Sequence, residues 1–497
     1  MPFAVAAGHA LTAEAAATAL REGGSAVDAC LAGALMACVA EPVLAGFFGG
    51  GFLILREPEG RVRLLDFFVH TPRARRPEAD WDLREIEADF GETKQRFHIG
   101  AAAVAAPGLP TGLAEAHARF GRIPLRELAA PAVEAARRGA PLSAFQAHVL
   151  QVVAPIYAAS PEARALYHHA DGPAGEGDLL RNPDLADTLE TWAAEGPRFA
   201  QEGEAGRALL ALCAEGGRLG PEDLRRYRAE WRSPLIVPRG PAKVALNPAP
   251  SLGGTLIAVA LELLADGAPT AAALARAFAL TSRARAETGD DRLAELLSPE
   301  GLARWRALAG LPAAPRGTTH VSAVDGRGMA AALTLSNGEG CGLIAPGTGI
   351  MPNNMLGEED LLPQGLDRWT PDVRLASMMA PTLMRWPDGR VAALGSGGSN
   401  RIRSAMAAVI ARLADGRAPL DLAVAAPRLH VEGREAVDFE DRFPPEEREA
   451  LLRDWPEARP WPRDSLFFGG VHAVRRAPSG AVEAAADARR DGAVALG

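Results

Sequence analysis

Lysine is almost missing from this chain. Of 53 basic residues, only Lys94 and Lys243 are lysine and the rest are arginine. With 52 glycines and 39 prolines alongside, the skew reads as a coding bias and not as chemistry. Cysteine is scarce as well. Cys30, Cys38, Cys213 and Cys341 are scattered and form no CxxC pair, which excludes a disulfide framework, a structural zinc site and a thioredoxin-type motif. An excess of positive charge is also lacking. The formal balance is 53 − 62 = −9, a poor match for nucleic acid or an anionic membrane surface. No uninterrupted apolar run is long enough to span a bilayer. The nearest, Ala29 to Phe48, carries Glu41 and Pro42 and ends in glycines, as a buried helix does. Met1 to Ala7 has no basic n-region, so no signal peptide is read and a cytoplasmic protein is expected. Heptads, short repeats and low-complexity tracts are absent too.

What is present is a globular composition: 497 residues, 48% apolar and 23% charged. That length predicts two to four domains or one large, closely packed unit. Leu11 to Glu22 has helical spacing and stops at Gly23-Gly24. Ser25, with Asp28 in the first turn, caps a second helix running to about Val39. Glycine-rich sequence then leads into a short strand, Phe52 to Leu55, paired with Arg61 to Val69. Residues 70–100 read as charged and irregular, and 101–105 as a strand. From about 110 to 310 the pattern is helical, and Pro315-Arg316-Gly317 ends it. A hairpin with strong alternation follows, Thr318 to Asp325 and Met329 to Leu335. Strands at 391–395 and 469–475 and a helix at 401–415 complete an α+β, layered αββα reading with a seam at 317/318.

The seam carries the chemistry. Glycine ahead of a hydroxyl residue tolerates strained backbone angles. The Thr318 hydroxyl can attack the carbonyl before it, and hydrolysis of the ester leaves a chain that begins at Thr318. Its free α-amine, with an ordinary pKa of about 7.7–8.0, can then serve as base for its own hydroxyl. Such a site needs no histidine triad, metal or cofactor. On its own, Gly-Thr-Thr is more often a plain β-branched strand start.

The surrounding motifs shift that balance. Arg21 to Ala29, Glu41-Pro42 with Gly49 to Phe52, Pro107-Gly108, Thr318-Thr319-His320 with Val324-Asp325, Pro346 to Ile350 with Asn353-Asn354, Ser377 to Thr382, Gly395 to Ile402 and Ala486 to Gly492 stand in order along the chain. Together they resemble the γ-glutamyltransferase (γ-glutamyltranspeptidase) family of N-terminal nucleophile hydrolases. The resemblance implies a four-layer αββα sandwich, made by cutting one precursor between Gly317 and Thr318. A large segment, 1–317, and a small one, 318–497, would stay associated as one intertwined unit. It implies Thr318 as nucleophile of both self-cleavage and turnover. Ser336 is the matching second hydroxyl, with Thr334 as runner-up on the same strand face; a plain turn residue is the alternative for Ser336. Gly397-Gly398 would supply the oxyanion-hole N–H groups. Asn337, Glu358 and Ser377 fall at substrate-binding positions, with Glu359 behind Glu358. No metal, cofactor, nucleic acid or membrane partner is implied, and the substrate is a small γ-glutamyl or related amide.

One departure concerns recognition. Phe68 stands where the family has an arginine for the glutamyl α-carboxylate, and a neutral aromatic cannot form that bidentate pair. Arg374 or Arg401 could supply the cation from another direction. The leading expectation is therefore hydrolysis or transfer of a γ-glutamyl group of the glutathione kind. The alternatives are an acylase of the same fold on another amide, such as a dicarboxylic monoamide, and a catalytically silent relative. His168-His169 and the run Arg73, Arg75, Arg76 are expected to be solvated. His320 is expected to be structural, on the face opposite Thr318 or one pleat on, and Cys341 to be a packed residue.

Overall fold

Along the strand after the seam, side chains alternate between two different surroundings. Thr319, Val321 and Ala323 face one way and His320, Ser322 and Val324 the other, and all six are buried. A strand buried on both faces must lie at the centre of a layered structure. In the computed structural model this is so. The structure describes residues 1–89, 94–288, 295–298, 317–359, 361–362, 365–432, 436–461 and 465–497.

Seven strands form the first sheet: β1 (Ala4–Ala7), β2 (Gly50–Arg56), β3 (Val62–Phe67), β4 (Glu230–Arg232), β7 (Thr319–Val324), β8 (Ala330–Ser336) and β13 (Ala493–Leu496). Their spatial order is β4-β3-β2-β8-β7-β1-β13, antiparallel throughout. The second sheet contains β5 (Leu235–Arg239), β6 (Ala242–Leu246), β9 (Thr382–Arg385), β10 (Val391–Gly397), β11 (Gly470–Arg476) and β12 (Val482–Ala485), in that order and also antiparallel.

Helices α1 (Ala10–Arg21) and α2 (Ala26–Ala40) cover the outer face of the first sheet. They share a core with Val5, Leu53, Val321 and Leu333. Helices α3 (Leu252–Leu263), α4 (Ala271–Thr288) and α5 (Arg401–Leu413) cover the second sheet. Between the sheets, Ile54, Val324 and Ala332 share a core with Ala245, Leu383, Ala393 and Val474. The expected αββα sandwich is the observed fold. Ser25 caps α2 as expected, its hydroxyl accepting from the Asp28 N–H at 3.0 Å while Asp28 accepts from the Ser25 N–H at 2.8 Å.

Three expectations need correction. Residues 101–105 are not a strand. Ala101–Ala103 form a short 3₁₀ turn after Gly100, whose φ is +107°, and only Ala106 bridges, to His70. Residues 70–100 are less irregular than their charge suggests, since Arg84–Asp89 and Lys94–Ile99 pair as a hairpin. The stretch read as helical from 110 to 310 also contains β4, β5 and β6, which sit at one edge of each sheet. Pro238 and Arg239 break the apolar alternation in β5, as its edge position allows, and Lys243 breaks it in the neighbouring β6. The end of that stretch, 299–316, lies outside the described residues. Among the described residues, no helix is long and apolar enough to cross a membrane.

Candidate active site

β7 and β8 are joined by a tight turn, and their register is continuous from Val324↔Ala330 to Thr319↔Leu335. The next pair along is therefore Thr318 opposite Ser336. Period-two alternation puts Thr318, His320, Thr334 and Ser336 on the inter-sheet face. Thr318 is 5% exposed and Ser336 6%. Two hydroxyls converge on one carbonyl. Thr318 Oγ1 donates to the Gly317 oxygen at 2.6 Å, and Ser336 Oγ donates to the same oxygen at 2.8 Å. Ser336 Oγ in turn accepts from the Gly338 N–H at 3.0 Å. Ser336 thus does more than end a turn. Thr334 lies one pleat away, where its hydroxyl meets His320 Nδ1 at 2.7 Å.

His320 shares the face of Thr318 but sits one pleat on. Its second nitrogen lies 2.8 Å from Ser322 Oγ. Burial, with His472 nearby, holds its pKa well below the ordinary imidazole value. It is a neutral, bonded core residue.

The second sheet delivers Gly397 and Gly398. β10 packs face to face on β7, and its last residue reaches the Thr318 end of that strand. A Cβ on Gly397 would fall 2.0 Å from the Thr318 oxygen, so only glycine allows this approach. Gly398 has φ +118°, outside the range of ordinary side chains. Helix α5 begins at once, the Arg401 N–H bonding back to the Gly398 oxygen at 3.0 Å. Its N-terminal end, the favourable end for negative charge, points at this corner.

The cleft in front of Thr318 has about 40 Å³ of free volume. Ser336, Ser377, Glu358, Ser399 and Asn400 are among its polar walls; Phe68, Met355, Leu361 and Met378 are among the apolar ones. Ser377 Oγ accepts from the Met379 N–H at 3.1 Å. Glu358 is 6% exposed and packs beside Gly338. Asn337 does not line the cleft. It packs on Gly46, and its Nδ2 donates to the Met351 oxygen at 3.0 Å.

Neither candidate arginine faces the cleft. The Arg374 guanidinium donates to the Phe68 and Arg228 carbonyls at 2.5 and 2.6 Å and to Tyr227 Oη, and its Nε lies 3.4 Å from Asp66. Arg401 lies over the Phe467 ring, 4.1 Å from its centre, and 3.7 Å from Glu432. Phe68 itself stacks on Phe52 at 5.7 Å.

Two carboxylates beside Thr318 and Thr319 were given no role by the sequence reading, although Glu41 stands in one of its motifs. Glu339, 2% exposed, accepts the Gly317 N–H at 3.0 Å. Glu41 lies on the far side of β7. It accepts from Thr319 Oγ1 at 2.5 Å and Thr12 Oγ1 at 2.7 Å. Complete burial pushes its carboxyl up to about 7, against the pull of those two donors. A signal for both existed. Glu339 is the only charged residue between Arg327 and Glu358, and Glu41 the only one between Asp28 and Arg56.

Of the residues expected to be bland, Cys341 is buried, with its thiol pushed up to about 12. His169 is exposed beside Asp178. The arginine run is more structural than expected: Arg73 pairs with Asp372, and Arg75 donates to the Asp367 oxygen at 3.0 Å. Among the described residues, no cluster of histidine, cysteine or carboxylate side chains could hold a metal ion.

The family model described as Gamma-glutamyltranspeptidase matches residues 12–497. This chain belongs to the γ-glutamyltranspeptidase family. It is thus an N-terminal nucleophile hydrolase, an enzyme of hydrolase and transferase type. It is 33% identical to the "Acylase ACY 1 proenzyme" of Pseudomonas sp. (strain V22), over 97% of this chain and 91% of that one. It is 30% identical to the "Glutathione hydrolase proenzyme" of Pseudomonas aeruginosa, over 86% and 82%. The crystal structure of cephalosporin acylase from Bacillus halodurans superimposes with a TM-score of 0.84 at 24% identity, over 99% of this chain and 95% of that one. That likeness bears on the fold. Within the γ-glutamyltranspeptidase family, members named as proenzymes act on small amides after processing into two subunits.

Proposed function

We propose that this protein is a self-maturing hydrolase and acyltransferase in which Thr318 is the nucleophile, first of its own cleavage and then of turnover. The observation that carries the reading is the pair of hydroxyls on the Gly317 carbonyl, Thr318 Oγ1 at 2.6 Å and Ser336 Oγ at 2.8 Å. Maturation begins when Thr318 Oγ1 attacks the Gly317 carbonyl carbon. The negative charge gathers on the oxygen that Ser336 holds. The C–N bond breaks, the hydroxyl proton ends on the Thr318 nitrogen, and Gly317 is left as an ester on Oγ1. Water cleaves the ester, giving a Gly317 carboxylate and restoring the hydroxyl.

In turnover the new α-amine takes the Oγ1 proton. Oγ1 attacks the substrate amide, and the Gly397 and Gly398 N–H groups receive the oxyanion. The amine leaves with the proton, and the acyl ester passes to water or to another amine. Glu358 is suited to an ammonium group and Ser377 to a carboxylate, with Asn337 bracing the loop behind them.

The acyl group is γ-glutamyl, as in glutathione. The family match and the glutathione hydrolase relatives support this. A second reading, an acylase for an amide without the free amino-acid head group, rests on a specific observation. The cleft wall at Phe68 is aromatic, and Arg374 is committed to Asp66 and to backbone carbonyls. The acylase relatives point the same way.

Two measurements test the proposal. Intact mass of the purified protein under denaturing conditions is expected to show two fragments, split at Gly317/Thr318, and one intact chain for Thr318→Ala. Matured enzyme is then assayed on γ-glutamyl anilide and on apolar and dicarboxylic N-acyl anilides. An uncut wild type, or equal cutting in the variant, refutes the nucleophile. Turnover of the N-acyl anilides alone decides for the second reading.

A further inference from the structure

The scissile residue is held from both ends, and only one of the two holders is explained by the chemistry above. Ser336 holds the Gly317 oxygen, where charge develops. The other end, the Gly317 N–H, is held by Glu339 Oε1 at 3.0 Å. We propose that Glu339 is a positioning residue for maturation, which fixes Gly317 so that its carbonyl faces Thr318 Oγ1. The inference rests on the Gly317/Thr318 cleavage proposed above.

The local backbone is built to bring Glu339 there. After Ser336 the chain turns through Gly338, whose φ is +64°. A Cβ at that residue would fall 2.1 Å from Asn354 Oδ1, so glycine is needed on both counts. The same Asn354 Oδ1 accepts the Glu339 N–H at 2.9 Å. Ser336 Oγ and the Glu339 carboxylate, three residues apart, thus close on a single glycine.

The energetics explain why a carboxylate is used. Gly317 is the most flexible kind of residue, and left untied it would sample many orientations. A carboxylate acceptor makes the shorter and stronger sort of hydrogen bond. Burying an acid is costly unless it is bonded, and Glu339 is almost fully buried. Near-attack geometry is steep: a displacement of about 1 Å can cost roughly 10²-fold in rate. The acid also lies on the N–H side of Gly317, away from the oxygen that becomes negative, where its charge would oppose the step.

The test follows self-cleavage of freshly purified full-length precursor by gel and intact mass, and separately the kcat of fully matured protein. Glu339→Asp keeps the charge but withdraws the acceptor by one methylene. It is expected to slow cleavage about tenfold or more, while matured protein keeps kcat within about twofold. Glu339→Gln keeps an acceptor at the same reach and should restore cleavage to within about threefold of wild type. Thermal melting of each precursor identifies a variant that has not folded. Wild-type cleavage rates in folded Glu339→Asp overturn the inference. So does an equal loss of kcat after maturation, which would make Glu339 a general support of the site. If the wild type itself is not cut at Gly317/Thr318, the underlying reading fails, and the wild-type sample alone reveals it.

Discussion

The two walls of the cleft differ in kind. One is the proposed nucleophile wall, where Gly317, Thr318 and Ser336 are joined by short hydrogen bonds and Gly397 is pressed against the Thr318 backbone. The other is the proposed acyl wall, where Phe68, Met355, Leu361 and Met378 offer surface and few directional contacts. The reacting wall tolerates little change, because its geometry is set atom by atom. The acyl wall is set by shape, and shape can be altered one side chain at a time. A family that keeps the first and varies the second keeps its reaction and changes its substrates.

Five substitutions sharpen or break that contrast. The largest effect belongs to Thr318→Ala, which should abolish self-cleavage and lower turnover by roughly 10⁴-fold or more. Next is Arg374→Met. It leaves Asp66, 1% exposed, without one of its cationic partners, and should cost about 3–5 kcal/mol in urea unfolding. If Arg374 only supports the wall, KM for the preferred donor should scarcely change in the surviving folded protein. A large rise in KM would make it a substrate contact. Ser336→Ala removes the donor to the Gly317 oxygen, and the half-time of self-cleavage should lengthen about 10²- to 10³-fold.

Glu41→Gln tests the back of the nucleophile wall. The folded-state pKa of Glu41 is raised from 4.5 to about 7, so the folded protein holds this proton more tightly than the unfolded chain does. Its contribution is fully present below about pH 4.5 and is lost as pH rises toward 7. The loss is on the order of 3 kcal/mol. The glutamine, neutral throughout, should be relatively more stable than wild type at pH 8 than at pH 5, as read from denaturant midpoints. A constant difference between the two pH values would refute a titrating Glu41. The smallest effect is that of Phe68→Leu. If the aromatic face receives an apolar acyl chain, KM for such donors should rise about tenfold while γ-glutamyl anilide is unaffected.

The nucleophile wall was far more legible in the sequence than the acyl wall, and the reason is physical. Thr318, Ser336 and Gly397-Gly398 were reached through the family's motifs, and strand parity placed Ser336 and Thr334 on one face; the register of the hairpin then sets Ser336 opposite Thr318. The αββα layering followed from helices with clear caps and from strands with strong alternation. β5 was missed because an edge strand carries proline and charge, and β6 because Lys243 interrupts a run of only five residues. Glu41 and Glu339 were given no role because their partners lie far along the chain: Thr319 is 278 residues from Glu41, and Gly317 is 22 from Glu339. Arg374 was considered as a substrate cation because sequence cannot reveal that Tyr227, Arg228 and Asp66 already claim it.

The position of β1 carries one more consequence. This strand, from the start of the chain, lies between β7 and β13, both from beyond the seam. A cut at 317/318 therefore leaves two polypeptides threaded through one sheet. Before the cut, the chain folds as a first-order process whatever its dilution. After it, a denatured molecule can recover only if two separate chains meet, so refolding becomes second order and fails at low concentration. The native matured enzyme is then held by its unfolding barrier more than by equilibrium, and its working life is decided by how rarely that sheet opens.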